Sequence, residues 1–539
     1  MSLLATLFGK KNRPIRKPAR RHGFGQSTVQ LALEPLEDRR VMSVSLHGGP
    51  VLTNVEVESV YYGSAWSQNP ALQQQRQELD HYLNVITDSS YLDMLGQYRV
   101  ARGRFTGDYQ TVEDISGNTV SDAQVQQMLD WEIRSTTSGS DLVAPDANRL
   151  YIVYTPPNVE VTKSDGTNSL SNFYAYHSSF NDAGLGEIYY AVVAHPTGNA
   201  EISGLTAFQQ QTEVTSHEMS EAVTDPQIWR DSTTGTYYGT GWHDGTSGNV
   251  LGNEIGDLAN LKYGNYQGYI VQKEYSNADN AGIMPNSFSL QSGNLYSVNG
   301  KTGARTLIDT NVQSYSWDTD GWWQNGVAYL TTGNQVKLYT GSSVVALTGA
   351  NYTHATALAV YKGSIYMVAA NGGGQSYVWV YNSYGTSWSK LTGDNTKATG
   401  LVTTDSGLYM LANNNFGIGP QQVWQMTVNG GWNAETQTTD YSVSQIVSAY
   451  GQLFMRASYK GGVSQAFQWT GGGWTALTGI TNVVELAGAN DNLYMLGANS
   501  GNNQVWRYNG APLNWTPLTN GSTNPHSISV DDAGNISWS

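Results

Sequence analysis

Apolar positions in the first half of the chain follow two periods. Runs at 55–62, 150–154 and 188–194 are continuously apolar or alternating and predict strands, the second ending just before Pro156. Between 71 and 95, Leu72, Leu79, Leu83, Ile86 and Leu95 fall near helical spacing and predict a helix. Ser121 is placed to cap a helix through Arg134, and a further helix is predicted from about Leu205 to Thr224, stopped by Pro226. Strands interleaved with helices make residues 44–285 an α/β domain.

Past Pro285 the charge falls, Gly, Trp and Tyr rise, and short alternating strands take over. Leu-Thr pairs recur at Leu347, Leu391, Leu477 and Leu518, with gaps of 44, 86 and 41 residues. The middle gap is about twice 43, so a degenerate unit is expected near Glu435, and another ends near Leu307. A period near 43 with four short strands per unit predicts an all-β propeller over 286–539, with six units. Strands at about 527–538 are expected to close the ring against 286–308. Apolar residues in runs such as Leu408-Tyr409-Met410-Leu411 read as blade core. Exposed aromatic residues at loop ends would suit stacking on sugar rings.

The formal charge of −15 is unevenly distributed. Residues 1–40 hold nine Lys/Arg against three Asp/Glu, which leaves 19 basic and 40 acidic residues beyond, a net of −21. Such a body repels nucleic acid and anionic membrane. The chain has no cysteine, which excludes disulfides, thiolate metal sites and a Cys nucleophile. No run of 18 apolar residues exists, so no transmembrane helix is expected. A basic cluster from Lys10 to Arg21 precedes Leu33-Glu34-Pro35-Leu36-Glu37-Asp38-Arg39-Arg40. This segment resembles the sorting motif near the start of large exported proteins of planctomycete bacteria. It marks residues 1–43 as a targeting segment outside the fold and implies an exported, extracellular or cell-surface protein.

The chemistry concentrates in Ser216-His217-Glu218-Met219-Ser220-Glu221. His217 and Glu221 are four apart on a helix and share a face, so one metal ion can bridge them. Glu218 lies beside them as the candidate catalytic base for a metal-bound water. This is the logic of the H-E-x-x-H metalloprotease helix with Glu in place of the second His. Downstream, Gly252-Asn253-Glu254-Ile255-Gly256-Asp257 resembles the segment of thermolysin-like peptidases that supplies a Glu as third zinc ligand. The resemblance implies a zincin-like α+β arrangement with Glu254 as third ligand and Asp257 as acceptor of the other ring N–H of His217. Zinc is the expected ion. Calcium is the alternative, since an oxygen-rich cluster suits hard cations. His177 is a candidate to line the same cleft. His243 is a candidate ligand or hydrogen-bond donor, Asp225 a candidate closing ligand, and His195 an ordinary hydrogen-bonded histidine at a strand end.

A wider resemblance runs in order through 46–53, 60–66, 150–157, Tyr176-His177, 190–192, 216–226, Gly241-Trp242, 254–257 and 271–277. It is similar to the phosphate-induced protein, or EXORDIUM, family, which implies a secreted or wall-associated protein without a settled enzymatic activity. The cysteines of the plant members have no counterpart here. Two readings follow. One is an exported metallohydrolase of peptidase type. The other is a non-enzymatic extracellular module with a structural metal. In both, the propeller is expected to bind an extracellular or cell-wall polymer or protein. An open metal position facing a groove favours the first, a fourth closed ligand the second.

Overall fold

Four parallel strands and one antiparallel edge strand make the sheet of the first domain. Their order is Arg104–Gln110, Glu56–Tyr61, Arg149–Tyr154, Gly186–Val193 and Ala175–Asp182, the last running antiparallel to its neighbour. Side chains alternate between two cores, as period two requires. Leu150, Ile152 and Tyr154 join one, while Tyr151 and Val153 join the other. Helices Pro70–Thr87 and Ala207–Thr224 cover the first face, and Asp122–Arg134 covers the second through Val125, Met128 and Leu129. The computed structural model describes residues 43–539 apart from 112–113, 135–141, 246–249, 251, 318–325, 350–353, 372–373, 383–386, 414–418, 438, 480–481, 490–491, 500, 511 and 531–535. The basic cluster and the sorting-type motif lie outside the described residues. Among those described, no helix is long and apolar enough to cross a membrane.

The helix expected over 71–95 is broken. It ends at Thr87, and a short helix Ser90–Asp93 and a 3₁₀ turn Met94–Tyr98 follow. The run Thr87-Asp88-Ser89 accounts for the break: the Thr87 hydroxyl donates back to Leu83 O, and Ser89 Oγ caps Tyr91 N. Two other starts follow the expected chemistry. Ser121 Oγ accepts from Gln124 N while the Gln124 side chain accepts from Ser121 N, and Thr206 and Gln209 do the same at Ala207.

The second half is a β-propeller of four-stranded antiparallel sheets. Five complete sheets begin with Val312–Ser316, Ala355–Tyr361, Lys397–Thr404, Tyr441–Ala449 and Asn482–Ala489, spaced 43, 42, 44 and 41 residues apart. In every one the register with the second strand shifts near the start of the first, a β-bulge at the same place. A three-stranded sheet, Ser287–Gln291, Asn294–Val298 and Arg305–Asp309, precedes them, and the hairpin Ile528–Val530 with Ile536–Trp538 follows. The expected closure is not made among the described residues. The last hairpin pairs with itself, packs Ile528, Val530 and Ile536 on Leu496 and Val505, and donates Ile528 N–H to Glu485. Among the described residues neither of its strands pairs with the first three-stranded sheet.

The two domains pack as one compact unit. The outer face of Pro70–Thr87 meets propeller loops. His81 Nδ1 lies 2.7 Å from Asp405, and at Gly510, whose φ is +82°, a Cβ would come within 1.9 Å of Gln74 Cβ. The inner face of that helix holds the helix Ala207–Thr224, with the Tyr82 hydroxyl donating to Thr212 O at 2.8 Å.

Candidate metal centre

The helix Ala207–Thr224 is buried along almost its whole length, and its four ionisable side chains converge on one cleft. Glu213, His217 and Glu221 recur every four residues, with Glu218 beside them. Facing them, His177 comes from the edge strand Ala175–Asp182, and Glu254 and Asp257 come from the loop and 3₁₀ turn beyond the helix. The cleft has a volume of about 680 Å³, and its outer wall carries Lys163, Tyr176, Trp229, Arg230 and Tyr237. Trp229 is half exposed and stacks on Tyr238 at its mouth.

His177 sits at the centre of the cluster. Its Nδ1 is 3.2 Å from Glu218 Oε2 and 3.6 Å from Glu221 Oε2, and its Nε2 is 3.4 Å from Glu254 Oε1 and 3.2 Å from Asp225 O. His217 Nε2 is 3.3 Å from Glu221 Oε2 and 3.9 Å from Glu218 Oε1. Asp257 N donates to Glu221 Oε1 at 3.0 Å, and Gly252 N donates to Asp257 Oδ2. His217 Nδ1 faces the Gln272 side-chain amide at 2.7 Å, where the sequence reading had put Asp257. Gln272 also donates to Gly256 O, which orients its amide nitrogen toward the His217 ring. Gly256 itself is required by close approach, since a Cβ there would lie 2.8 Å from Glu221 Oε1 and 2.9 Å from His217 Nδ1.

The electrostatics follow from burial. Burial alone would push the His177 ring down, but Glu254, Glu218 and Glu221 hold it well above the ordinary imidazole range. The same opposition, with Glu221 as the main counter-charge, raises His217. Burial would raise Glu221 too, but the two imidazoles and Asp257 N–H hold it low. Glu254 is pushed well up by burial and by Glu221. Burial lifts Glu213 and Asp257 to about 7 and Glu274, behind the cluster, to about 8. Among the described residues, Glu218, Glu221 and Glu254 form ion pairs with imidazoles and with no lysine or arginine. Two sets have donor atoms close enough to hold an ion: His177, Glu218, Glu221; and His217, Glu221, Asp257.

Of the remaining candidates, Asp225 meets the cluster through its main-chain O, which faces His177 Nε2. Asp225 ends the helix and accepts from Thr240 N and Gly241 N, bracing the loop beyond it. His243 stacks on His47 with ring centroids 3.8 Å apart, and its Nε2 faces Gly239 O. His195 Nδ1 accepts from Thr197 N, and burial lowers its pKa to about 4. Sequence reasoning missed Glu213 and Gln272 and gave His177 a minor place. Glu213 is one turn before His217 and was accessible from periodicity. Gln272 arrives from a distant hairpin that no local pattern announces.

No family model matches the chain, and no curated protein matches it. Among solved structures, the β-propeller domain of the Trilobed protease from Pyrococcus furiosus, described as having an open velcro topology, aligns with 46% of this chain and 84% of that chain. The identity is 10% and the TM-score 0.32, so the propeller assignment rests on the strand pairing alone.

Proposed function

We propose that this is an exported, cell-surface or extracellular protein whose α/β domain is a metal-dependent hydrolase of peptidase type. The propeller holds it to an extracellular or cell-wall polymer or protein. One observation carries the reading: two imidazoles and several carboxylates meet, mostly buried, at the floor of an open cleft, and among the described residues these carboxylates pair with no lysine or arginine. Buried carboxylates without fixed positive charge are costly, and a divalent cation is the usual remedy. Mixed imidazole and carboxylate donors suit zinc or another transition ion better than calcium, which takes oxygen ligands. A cation there polarises a carbonyl oxygen and lowers the pKa of water. The H-E-x-x-E helix offers Glu218 for the water's proton as long as it does not itself hold the ion. Glu213, near neutrality and lining the same cleft, is the second carboxylate suited to it. The wall of Trp229, Tyr237 and Arg230 supplies apolar and hydrogen-bonding contacts for a chain laid along the cleft.

The test is a mixed peptide library incubated with metal-loaded protein, chelator-treated protein and Glu221→Gln, read by mass spectrometry. New termini should form with the loaded protein alone. Absence of cleavage under all three conditions, with metal bound, overturns the hydrolase and leaves a structural cation in a binding module. The deep burial of His177 and Glu254 favours that second reading. Export is tested separately, by fractionating the native host; a purely cytoplasmic pool overturns it.

A further inference from the structure

We infer that the cluster is a two-cation centre bridged by Glu221. The inference rests on the reading of the cleft as a cation site and specifies how many ions it takes. Two donor sets exist, His177–Glu218–Glu221 and His217–Glu221–Asp257, and in each the donor atoms lie within 4.8 Å of one another. Glu221 belongs to both, and neither set contains both imidazoles. The reason is geometric. The two rings flank one carboxylate oxygen: Glu221 Oε2 lies 3.3 Å from His217 Nε2 and 3.6 Å from His177 Nδ1. The other oxygen of Glu221 is held by Asp257 N–H, so the carboxylate is fixed between the rings.

On the His217 side Glu213 Oε1, in a residue 1% exposed, is a buried carboxylate oxygen with no hydrogen-bond partner among the described residues. On the His177 side Glu254, 2% exposed, turns its Oε1 to His177 Nε2 at 3.4 Å. Carboxylate-bridged ions in two-metal sites stand roughly 3.5–4 Å apart, a scale that one bridging carboxylate spans. The positions are not equivalent. All of these residues line the cleft, but His177, Glu218 and Glu254 are buried whereas His217 and Asp257 are only partly buried, so the second ion is the more exposed. The outer ion is therefore the one that meets substrate.

The experiment titrates the chelator-treated full chain with Mn²⁺, counting bound metal by equilibrium dialysis with elemental analysis and recording electron paramagnetic resonance at each ratio. Two equivalents are expected, with an exchange-coupled signal that grows only as the second ion enters. His177→Ala and His217→Ala should each retain one uncoupled equivalent, and Glu221→Gln should lose the coupled signal. Saturation at one equivalent overturns the two-cation centre while leaving a cation in the cleft. Two equivalents without coupling overturn the bridge. No binding at all overturns the cation reading of the cleft itself. Wild-type stoichiometry and coupling decide the matter even where a variant does not fold.

Discussion

The α/β domain and the propeller bury polar groups in opposite ways. In the propeller most buried polar groups repeat with the blades and find backbone partners, Trp432 and Trp506 Nε1 excepted. The threonine of each Leu-Thr mark turns its hydroxyl to a third-strand N–H: Thr348 to Val336, Thr392 to Val378, Thr478 to Ala466 and Thr519 to Val505. Tryptophan indoles of fourth strands reach the preceding blade, Trp388 to Leu347 O, Trp474 to Glu435 O and Trp515 to Leu477 O. In the α/β domain the buried polar groups are charged, occur once and are left short of partners. A polar group that recurs with the repeat closes backbone hydrogen bonds. A singular cluster of unmatched charge is where a ligand belongs.

The contrast breaks most sharply at Glu221. Glu221→Gln should strip the bound metal that elemental analysis finds in the wild type, and Thr478→Val should leave it in place. The next effect is thermal. Metal at a hundredfold its Kd should stabilise the chain by about 2.7 kcal/mol, seen as a rise in Tm that chelator reverses. The gain should depend on pH. His177, His217, Glu213, Asp257 and Glu274 all have folded-state pKa values above their ordinary ones, so the metal-free fold binds more protons than the unfolded chain. Its stability should therefore fall as pH rises from about 5 to 8, in denaturant titrations of the chelated protein, and metal should lessen that fall. A metal-free stability that rises over this window would contradict the assigned cluster.

Smaller effects sharpen the other side. Thr478→Val leaves the Ala466 N–H buried without its partner and should cost about 1–3 kcal/mol in urea unfolding, with metal content unchanged. His81→Ala removes a partly exposed contact between the domains and should cost about 0.2–1 kcal/mol. A larger loss would mean that the helix Pro70–Thr87 depends on the propeller for its own stability.

The propeller was legible because its signals repeat. The Leu-Thr spacing marks a hydroxyl-to-backbone bond made once per blade. Even the degenerate unit near Glu435 keeps it, with Thr436 accepting from Val423 N. Closure was not legible, because a repeat gives the period and not which strand begins the count. The five-stranded sheet was half legible. Its three central strands are continuously apolar or alternating, but the edge strands Arg104–Gln110 and Ala175–Asp182 mix charged and polar residues and gave no pattern. In the cleft, the helix residues were legible from i, i+4 spacing. His177 was underrated because its place opposite Glu218 is set by sheet pairing with Gly186–Val193 rather than by neighbours in sequence.

The most direct test of the central claim is elemental analysis of the purified full chain beside Glu221→Gln and Thr478→Val. A transition metal should be bound in the wild type and in Thr478→Val and absent from Glu221→Gln. A wild-type chain that carries no metal, and whose Tm does not move when zinc or manganese is added, would contradict it.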